Sequence, residues 1–470
     1  MTGLPVELPW HDDLSGRAAG GERTGRFSLL MLTVVCVMTM ISPVIVVRAY
    51  LPTLKLEDPI LVLMLIYLVA RRHPAGGGAL WGRAIRPFSL PLAILVVWLF
   101  LVELFAGFPV VDISRAVGAF SAVLSTMKAF VLAVVIVGFV KDLRALRVLT
   151  WVVLLMLVFE VAVLYAQYNN LFGVHAWLTP FYRRFQAERF AAAGGRTAGT
   201  YGNPNVAGVA VAVMSGAAVA TAVFGKGIVR RLLAFAAAGA ATVVVTRYTG
   251  SRTALACCLI AFAMPVLLAL LRKGFRGRGV VLGTCLLALG VVGAAILEGS
   301  ELFERFSVFF LGGVLEERSL LARIINWQQL IAQVNPYLVT GLGTMEIGGV
   351  VTDSGYVSLI FKGGLIALSL FIWFLAWPAK AIFGERRPND MPIRDIVIAA
   401  SITGIAIVTV SSLTLSAYTN NRLFATVAIV TAMGLALRKI RLLSPEVDTD
   451  SWDDAGEPDE DEGEAAELSA

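Results

Sequence analysis

With 470 residues, 58% hydrophobic and only 15% charged, the chain lacks the surface of a soluble domain, where about a quarter of residues are charged. Its apolar residues come in long runs rather than in alternation, so its size bounds a number of spanning helices and not a number of soluble domains. On so apolar a chain, with a formal net charge of +6, membrane lipids and not nucleic acid are the expected neighbours.

Residues 1–26 are polar and carry Arg17, Arg23 and Arg26, and the apolar run behind them continues through Ile41 to Val47 without a small-residue cleavage site. This reads as a cytoplasmic tail followed by an uncleaved first helix. About twelve spans are expected, near 27–47, 57–70, 88–106, 116–140, 146–168, 203–224, 230–247, 252–271, 279–297, 353–377, 395–416 and 421–437. The fold class is an all-α polytopic integral membrane protein, with one membrane domain over 27–437.

Alternate loops are basic: Arg71, Arg72, Arg83 and Arg86; Lys141, Arg144 and Arg147; Lys226, Arg230 and Arg231; Arg272, Lys273, Arg276 and Arg278; Lys380, Arg386, Arg387 and Arg394. Short basic loops face the cytoplasm, which puts both termini there. Residues 438–470 begin with Arg438, Lys439 and Arg441 and turn acidic beyond Pro445, as a solvating, disordered tail would.

The four cysteines lie inside apolar runs without a CxxC pair, and His11, His73 and His175 share no ligand spacing, so no metal site or cofactor is expected. Two outer loops are long, 169–202 and 298–352, and long loops in compact proteins usually carry function. In the second, Leu320, Arg323, Ile324, Trp327, Leu330, Ile331 and Val334 follow a helical period, with Ser319 as a possible cap and Asn335-Pro336 as the stop. That is the pattern of an amphipathic helix on the membrane or on the bundle.

The outer side should be poor in cations, yet it holds Arg183, Arg184, Arg189, Arg196, Arg247, Arg252, Arg305, Arg318 and Arg323. Arginine presents a planar fork of donors suited to phosphate. Arg196 leads into Asn203-Pro204-Asn205, where Asn203 is a plausible N-cap and Pro204 fits the first helical position. Arg252 follows Ser251, a second plausible cap. Several helix N-termini on one face, each with an arginine, would suit a diphosphate. The alternative is that these arginines pair with nearby glutamates or reach to lipid head groups. Glu103 and Glu160 fall within spans, where each is either a buried structural hydrogen-bonding group or part of a transport path.

These residues, in order, resemble the O-antigen ligase and O-antigen polymerase superfamily of bacterial membrane glycosyltransferases. The resemblance runs over about residues 50 to 375. It begins with Leu56-Glu57-Asp58-Pro59, then Arg196, Gly199 and Gly202-Asn203-Pro204-Asn205, then Gly250-Ser251-Arg252-Thr253-Ala254-Leu255. It continues with Arg323 to Trp327, Gly341-Leu342-Gly343, Thr352-Asp353-Ser354-Gly355-Tyr356 and Lys362-Gly363-Gly364-Leu365. It implies a GT-C-like glycosyltransferase architecture and transfer of a glycan from a polyprenyl-diphosphate carrier to a sugar hydroxyl outside the plasma membrane, without metal or nucleotide sugar. It also implies a glycan or lipid acceptor, and a flippase or chain-length regulator as partner.

In that reading Arg196 and Arg252 face the diphosphate, and Arg323, Asn203, Asn205, Ser251, Tyr356 and Trp327 contact substrate. Arg323 has an alternative role as an ion pair that fixes the loop helix. Ligases of this family carry a histidine where this chain has Asp353-Ser354, a departure that favours the polymerase and exopolysaccharide branch over a ligase. Asp353 is the proton acceptor for the attacking hydroxyl, the N-cap of the next helix, or both, with Glu346 as a distant alternative base. Trp177, Phe181, Tyr182, Tyr201, Trp327 and Tyr337 either stack on sugars or form an interfacial belt. Outside the glycosyltransferases, the competing expectation is a transporter or flippase of a lipid-linked glycan.

Overall fold

The computed structural model describes residues 24–41, 57–70, 77–106, 127–179, 182, 195–271, 290, 318–343, 354–385, 392–415 and 420–443. Among them all regular structure is helical. In chain order the helices are α1 (Arg26–Ile41), α2 (Glu57–Ala70), α3 (Gly77–Ala106), α4 (Met127–Phe139), α5 (Leu143–Tyr168) and α6 (Val174–Leu178). They continue with α7 (Pro204–Phe224), α8 (Ile228–Val244), α9 (Arg252–Leu270), α10 (Arg318–Val334), α11 (Gly355–Phe383), α12 (Pro392–Ser411) and α13 (Asn421–Leu443).

Eight of these helices are long and apolar enough to cross a membrane: α3, α5, α7, α8 with the turn after it, α9, α11, α12 and α13. They coincide with eight of the expected spans, as a polytopic membrane protein requires. The expected spans 27–47, 57–70 and 116–140 fall on α1, α2 and α4, which are shorter over their described residues. The expected span 279–297 lies outside the described residues apart from Gly290, as does the acidic tail beyond Leu443.

Helix α7 is the hub. Every residue in it except Asn205 is buried. Its sequence is apolar on all sides and built from Ala, Val and Gly, and a helix apolar all round belongs inside a bundle. Between helices in lipid, association comes from close packing, which small residues permit. A Cβ on Gly208 would run into Ala254 of α9, and one on Gly216 would meet Thr403 of α12 at 2.6 Å. Cys36, Cys257 and Cys258 are free thiols in the same core. By contrast α8 exposes Val229, Leu232 and Leu233 on its outward side.

One end of the bundle, where α5 and α8 begin, is tied by charged groups. Asp142 caps α5, accepting from the Ala145 amide at 2.8 Å and from the Thr24 amide at 2.9 Å. Lys439 donates to the final carbonyls of α4 at Val137 and Gly138. Glu385 accepts from Arg441 at 3.0 Å.

Helix α11 is broken. Gly364 has φ +67° and ψ −167°, outside helical geometry. The break frees backbone groups that lipid cannot satisfy. The 338–343 segment takes them up: the Leu342 and Gly343 amides donate to the Phe361 and Lys362 carbonyls at 2.8 and 3.0 Å, and the Leu365 amide donates to Leu338 at 2.9 Å. The Trp98 indole donates to the Gly363 carbonyl at 2.7 Å. Gly341, with φ +80°, has no room for a Cβ against the Gly363 amide, and a Cβ on Gly364 would run into the Val339 carbonyl. The Gly341-Leu342-Gly343 and Lys362-Gly363-Gly364 sequences are thus two halves of one joint.

Ahead of that joint, α10 lies on α11 through Leu330 and Val334 against Phe361. The amphipathic helix is therefore present, ending in a single 3-10 turn at Asn335–Tyr337. Ser319 stands inside its first turn rather than capping it.

Gly364→Ala is expected to lower the melting temperature of the detergent-solubilised protein by the equivalent of at least about 2 kcal/mol, from backbone strain and overlap combined. Gly239→Ala, where a Cβ meets nothing within 4 Å, should be neutral or stabilising. Equal melting temperatures for the two variants would refute the joint.

Candidate functional site

At the opposite end of the bundle residues 195–203, ahead of α7, lie against the end of α5. Their course is fixed by two polar residues of α5, Glu160 and Gln167, seven apart and so on one face. Gln167 Oε1 accepts from the Ala198 and Gly199 amides at 3.0 and 2.9 Å. Its amide nitrogen donates to Tyr182, whose hydroxyl donates on to the Gly199 carbonyl at 2.8 Å. Glu160 accepts from both the amide and the hydroxyl of Thr200, each at 2.9 Å. Gly199, at φ +52°, passes so close to the Glu160 carboxylate that no side chain fits there.

From this cradle the segment runs into α7. Asn203 caps the helix, its Oδ1 accepting from the Asn205 amide at 2.9 Å, with Pro204 in the first turn. Ser251 caps α9, accepting from the Ala254 amide at 3.2 Å. Both caps match expectation. Between α8 and α9 the backbone widens into a π turn at Val245–Thr249 before Gly250 reverses it, and such turns recur at functional sites.

Arg196 joins these pieces. Its Nε donates to the Thr249 carbonyl at 2.6 Å and its Nη2 to Asn205 Oδ1 at 2.8 Å. The neighbouring Thr197 amide donates to the Tyr248 carbonyl at 2.9 Å. The guanidinium is thereby held, solvent-exposed, between the N-termini of α7 and α9, with half-buried Arg252 in the first turn of α9. The α11 N-terminus belongs to the same end: the Gly355 amide donates to the Ser412 carbonyl at 2.8 Å, and Thr253 of α9 bonds Thr414 at 2.6 Å. Three helix starts, each the positive end of a helix dipole and with its first amides largely taken by caps and neighbouring carbonyls, share this end with two arginines.

Arg196, Asn205, Ser251 and Arg252 are brought together. Asn203 serves its helix as a cap. Asp353 lies outside the described residues, and the capping role considered for it belongs to Ser354, whose hydroxyl accepts from the Val357 amide at 3.4 Å. Tyr356 turns its hydroxyl to the Thr409 carbonyl of α12 at 2.7 Å and its ring towards Phe371. Arg323 and Trp327 ride on α10, beside α11; both are half-buried, and the Trp327 indole N–H finds no acceptor among the described residues. Among the aromatics, Tyr182 and Tyr201 are structural hydrogen-bonding groups, while Trp177 and Tyr337 are exposed. Phe181 lies outside the described residues, as do Arg183, Arg184, Arg189 and Arg305.

The sequence reading missed a buried charged layer beneath this surface. Arg422, at the start of α13 and 5% exposed, lies within electrostatic reach of Glu160, Glu57 and Tyr201. Glu57 and Asp58 of α2 hold Lys128 of α4 at 2.5 and 2.7 Å. Isolated ionisable residues inside or at the start of apolar runs were the available signal. Glu160 is the buried hydrogen-bonding group, whereas Glu103 of α3 acts electrostatically on Lys362 beside the break in α11.

No protein-family model matches the chain, and no curated protein matches it.

Two outcomes are expected. Glu160→Ala should release the 196–203 segment, so that a cysteine at Thr197, a position only 2% exposed, reacts with maleimide in that variant but stays protected beside intact Glu160. Burial, followed for Tyr201 by the nearby Glu160 charge, pushes the phenols of Tyr182 and Tyr201 above the ordinary tyrosine range. The folded state binds these protons more tightly than the unfolded chain, so their contribution is present below about pH 10 and lost as pH rises beyond it. The melting temperature of a Tyr182→Phe, Tyr201→Phe protein should therefore fall less steeply above about pH 10 than that of the unsubstituted chain.

Proposed function

We propose that this chain is a membrane glycosyltransferase that moves a glycan from a polyprenyl-diphosphate carrier to a sugar hydroxyl, acting as a polysaccharide polymerase at the outer face of the plasma membrane. The observation that supports it is the fixed, exposed Arg196 guanidinium beside Arg252, with three helix N-termini at the same end. The basic clusters Lys141, Arg144, Arg147 and Lys226, Arg230, Arg231, at the starts of α5 and α8, lie at the other end, the one that the loop-charge rule assigns to the cytoplasm.

In this mechanism the acceptor oxygen bonds to the anomeric carbon while the bond from that carbon to the diphosphate oxygen breaks. The hydroxyl proton passes to Asp353 or to water, and the polyprenyl diphosphate departs with the electron pair. Negative charge grows on the leaving oxygen as the bond lengthens. Donors already fixed in place stabilise that charge without reorganising, the usual large term in catalysis. Arg196 is held in this way by Thr249 and Asn205.

A second reading, transport of a lipid-linked glycan, draws on the broken helix α11 with Lys362 and Glu103 beside it, since transporters use discontinuous helices at their binding sites. Against it, the carbonyls of Phe361, Lys362 and Gly363 already accept from donors of 338–343 and Trp98.

The test is reaction of the purified protein with a synthetic polyprenyl-diphosphate repeat unit in buffer containing EDTA, read as a ladder on a gel. The unsubstituted protein should give a ladder, and Arg196→Ala or Arg252→Ala should slow it by about 100-fold or more. Normal product from either variant would end the diphosphate role of that residue. Single transfer to an added acceptor would indicate a ligase, and donor binding without turnover would indicate a transporter.

A further inference from the structure

The π turn that supplies the Thr249 carbonyl to Arg196 also carries Tyr248. Tyr248 stacks on Tyr168, the last residue of α5, with ring centroids 4.3 Å apart and planes within 27°. Tyr165, one turn earlier and 48% exposed, lies 6.0 Å from the Tyr248 ring. The exposed Arg247 guanidinium stands 5.9 Å over the same ring. Three tyrosines and an arginine thus form a partly exposed cluster, joined to the candidate phosphate site through the backbone at Tyr248, which accepts from the Thr197 amide at 2.9 Å.

The geometry points to a saccharide-binding platform formed by Tyr165, Tyr168 and Tyr248, with Arg247 as a hydroxyl-binding group, that takes the first sugars of a diphosphate-linked donor whose phosphates lie on Arg196 and Arg252. It rests on the glycosyltransferase reading above. Aromatic faces carry negative charge density that attracts the polarised C–H face of a pyranose, while phenol and guanidinium groups supply the polar contacts that sugar hydroxyls need. A glycan is the occupant that fits, because in such a donor the sugar is covalently next to the phosphate, and this cluster is next to the arginines. The π turn serves both, with its carbonyl orienting Arg196 and its side chain building the platform.

The experiment compares binding of undecaprenyl diphosphate and of undecaprenyl-diphosphate-linked N-acetylglucosamine to the full-length protein in nanodiscs. In a Tyr168→Ala, Tyr248→Ala protein, affinity for the sugar-bearing lipid should fall about tenfold, the size of one or two stacking contacts. Affinity for the bare lipid should stay within about twofold. Tyr165→Ala, at the exposed rim, should weaken the sugar-bearing lipid alone, and Tyr248→Trp should retain binding. Unchanged affinity for both lipids would leave these rings as an interfacial belt, and equal loss for both would make them part of the general lipid site; either result overturns the platform. Failure of the unsubstituted protein to bind either lipid would overturn the glycosyltransferase reading and the platform with it.

Discussion

A backbone amide or carbonyl without a partner is costly anywhere in a protein and most costly in hydrocarbon, where water cannot substitute. The described irregular segments are arranged around that constraint. Where α11 breaks at Gly364, the 338–343 segment and Trp98 supply donors and acceptors in place of the lost helical ones. Where residues 195–203 lead into α7, Gln167 and Glu160 take the amides of Ala198, Gly199 and Thr200. Where α7, α9 and α11 begin, Asn203, Ser251 and Ser354 satisfy the first amides.

The same constraint explains how the arginine-bearing segment is held in place. A loop over a helical bundle ordinarily moves, because little holds it. Here Glu160 makes its two bonds to Thr200 from deep within α5, with buried Arg422 in electrostatic reach. Removing one partner from such a layer leaves an uncompensated charge, which costs more than the pair contributed. Arg196 inherits its position from this foundation, since the segment that carries it is pinned at Thr197 and again at Thr200. An exposed arginine usually loses much side-chain freedom on meeting a ligand. Two hydrogen bonds to the protein remove part of that cost in advance.

Packing sets the distances between the helix starts. Small residues on α7 let α9 and α12 approach until Gly208 faces Ala254 and Gly216 faces Thr403. With larger residues at these positions the N-termini of α7 and α9 would move apart, and the short reach from Thr249 through Arg196 to Asn205 would not close.

The all-helical, multi-span class of the protein was legible in the chain, because long apolar runs and N-cap residues act locally and need no knowledge of neighbours. Asn203, Ser251 and the α10 period were legible for that reason, and Arg196 and Arg252 stood out as cations where few belong. The partners of those residues were not legible. That Glu160 would hold Thr200, that Arg422 would lie within electrostatic reach of Glu160, that Tyr168 would stack on Tyr248, and that Gly341 would fit against Gly363 depend on which helix faces meet. In lipid those faces are chosen by close packing of small residues and by pairing of scarce polar groups rather than by hydrophobicity. Apolar periodicity, the strongest signal in a sequence, carries little information about that choice, and tertiary structure alone decided it.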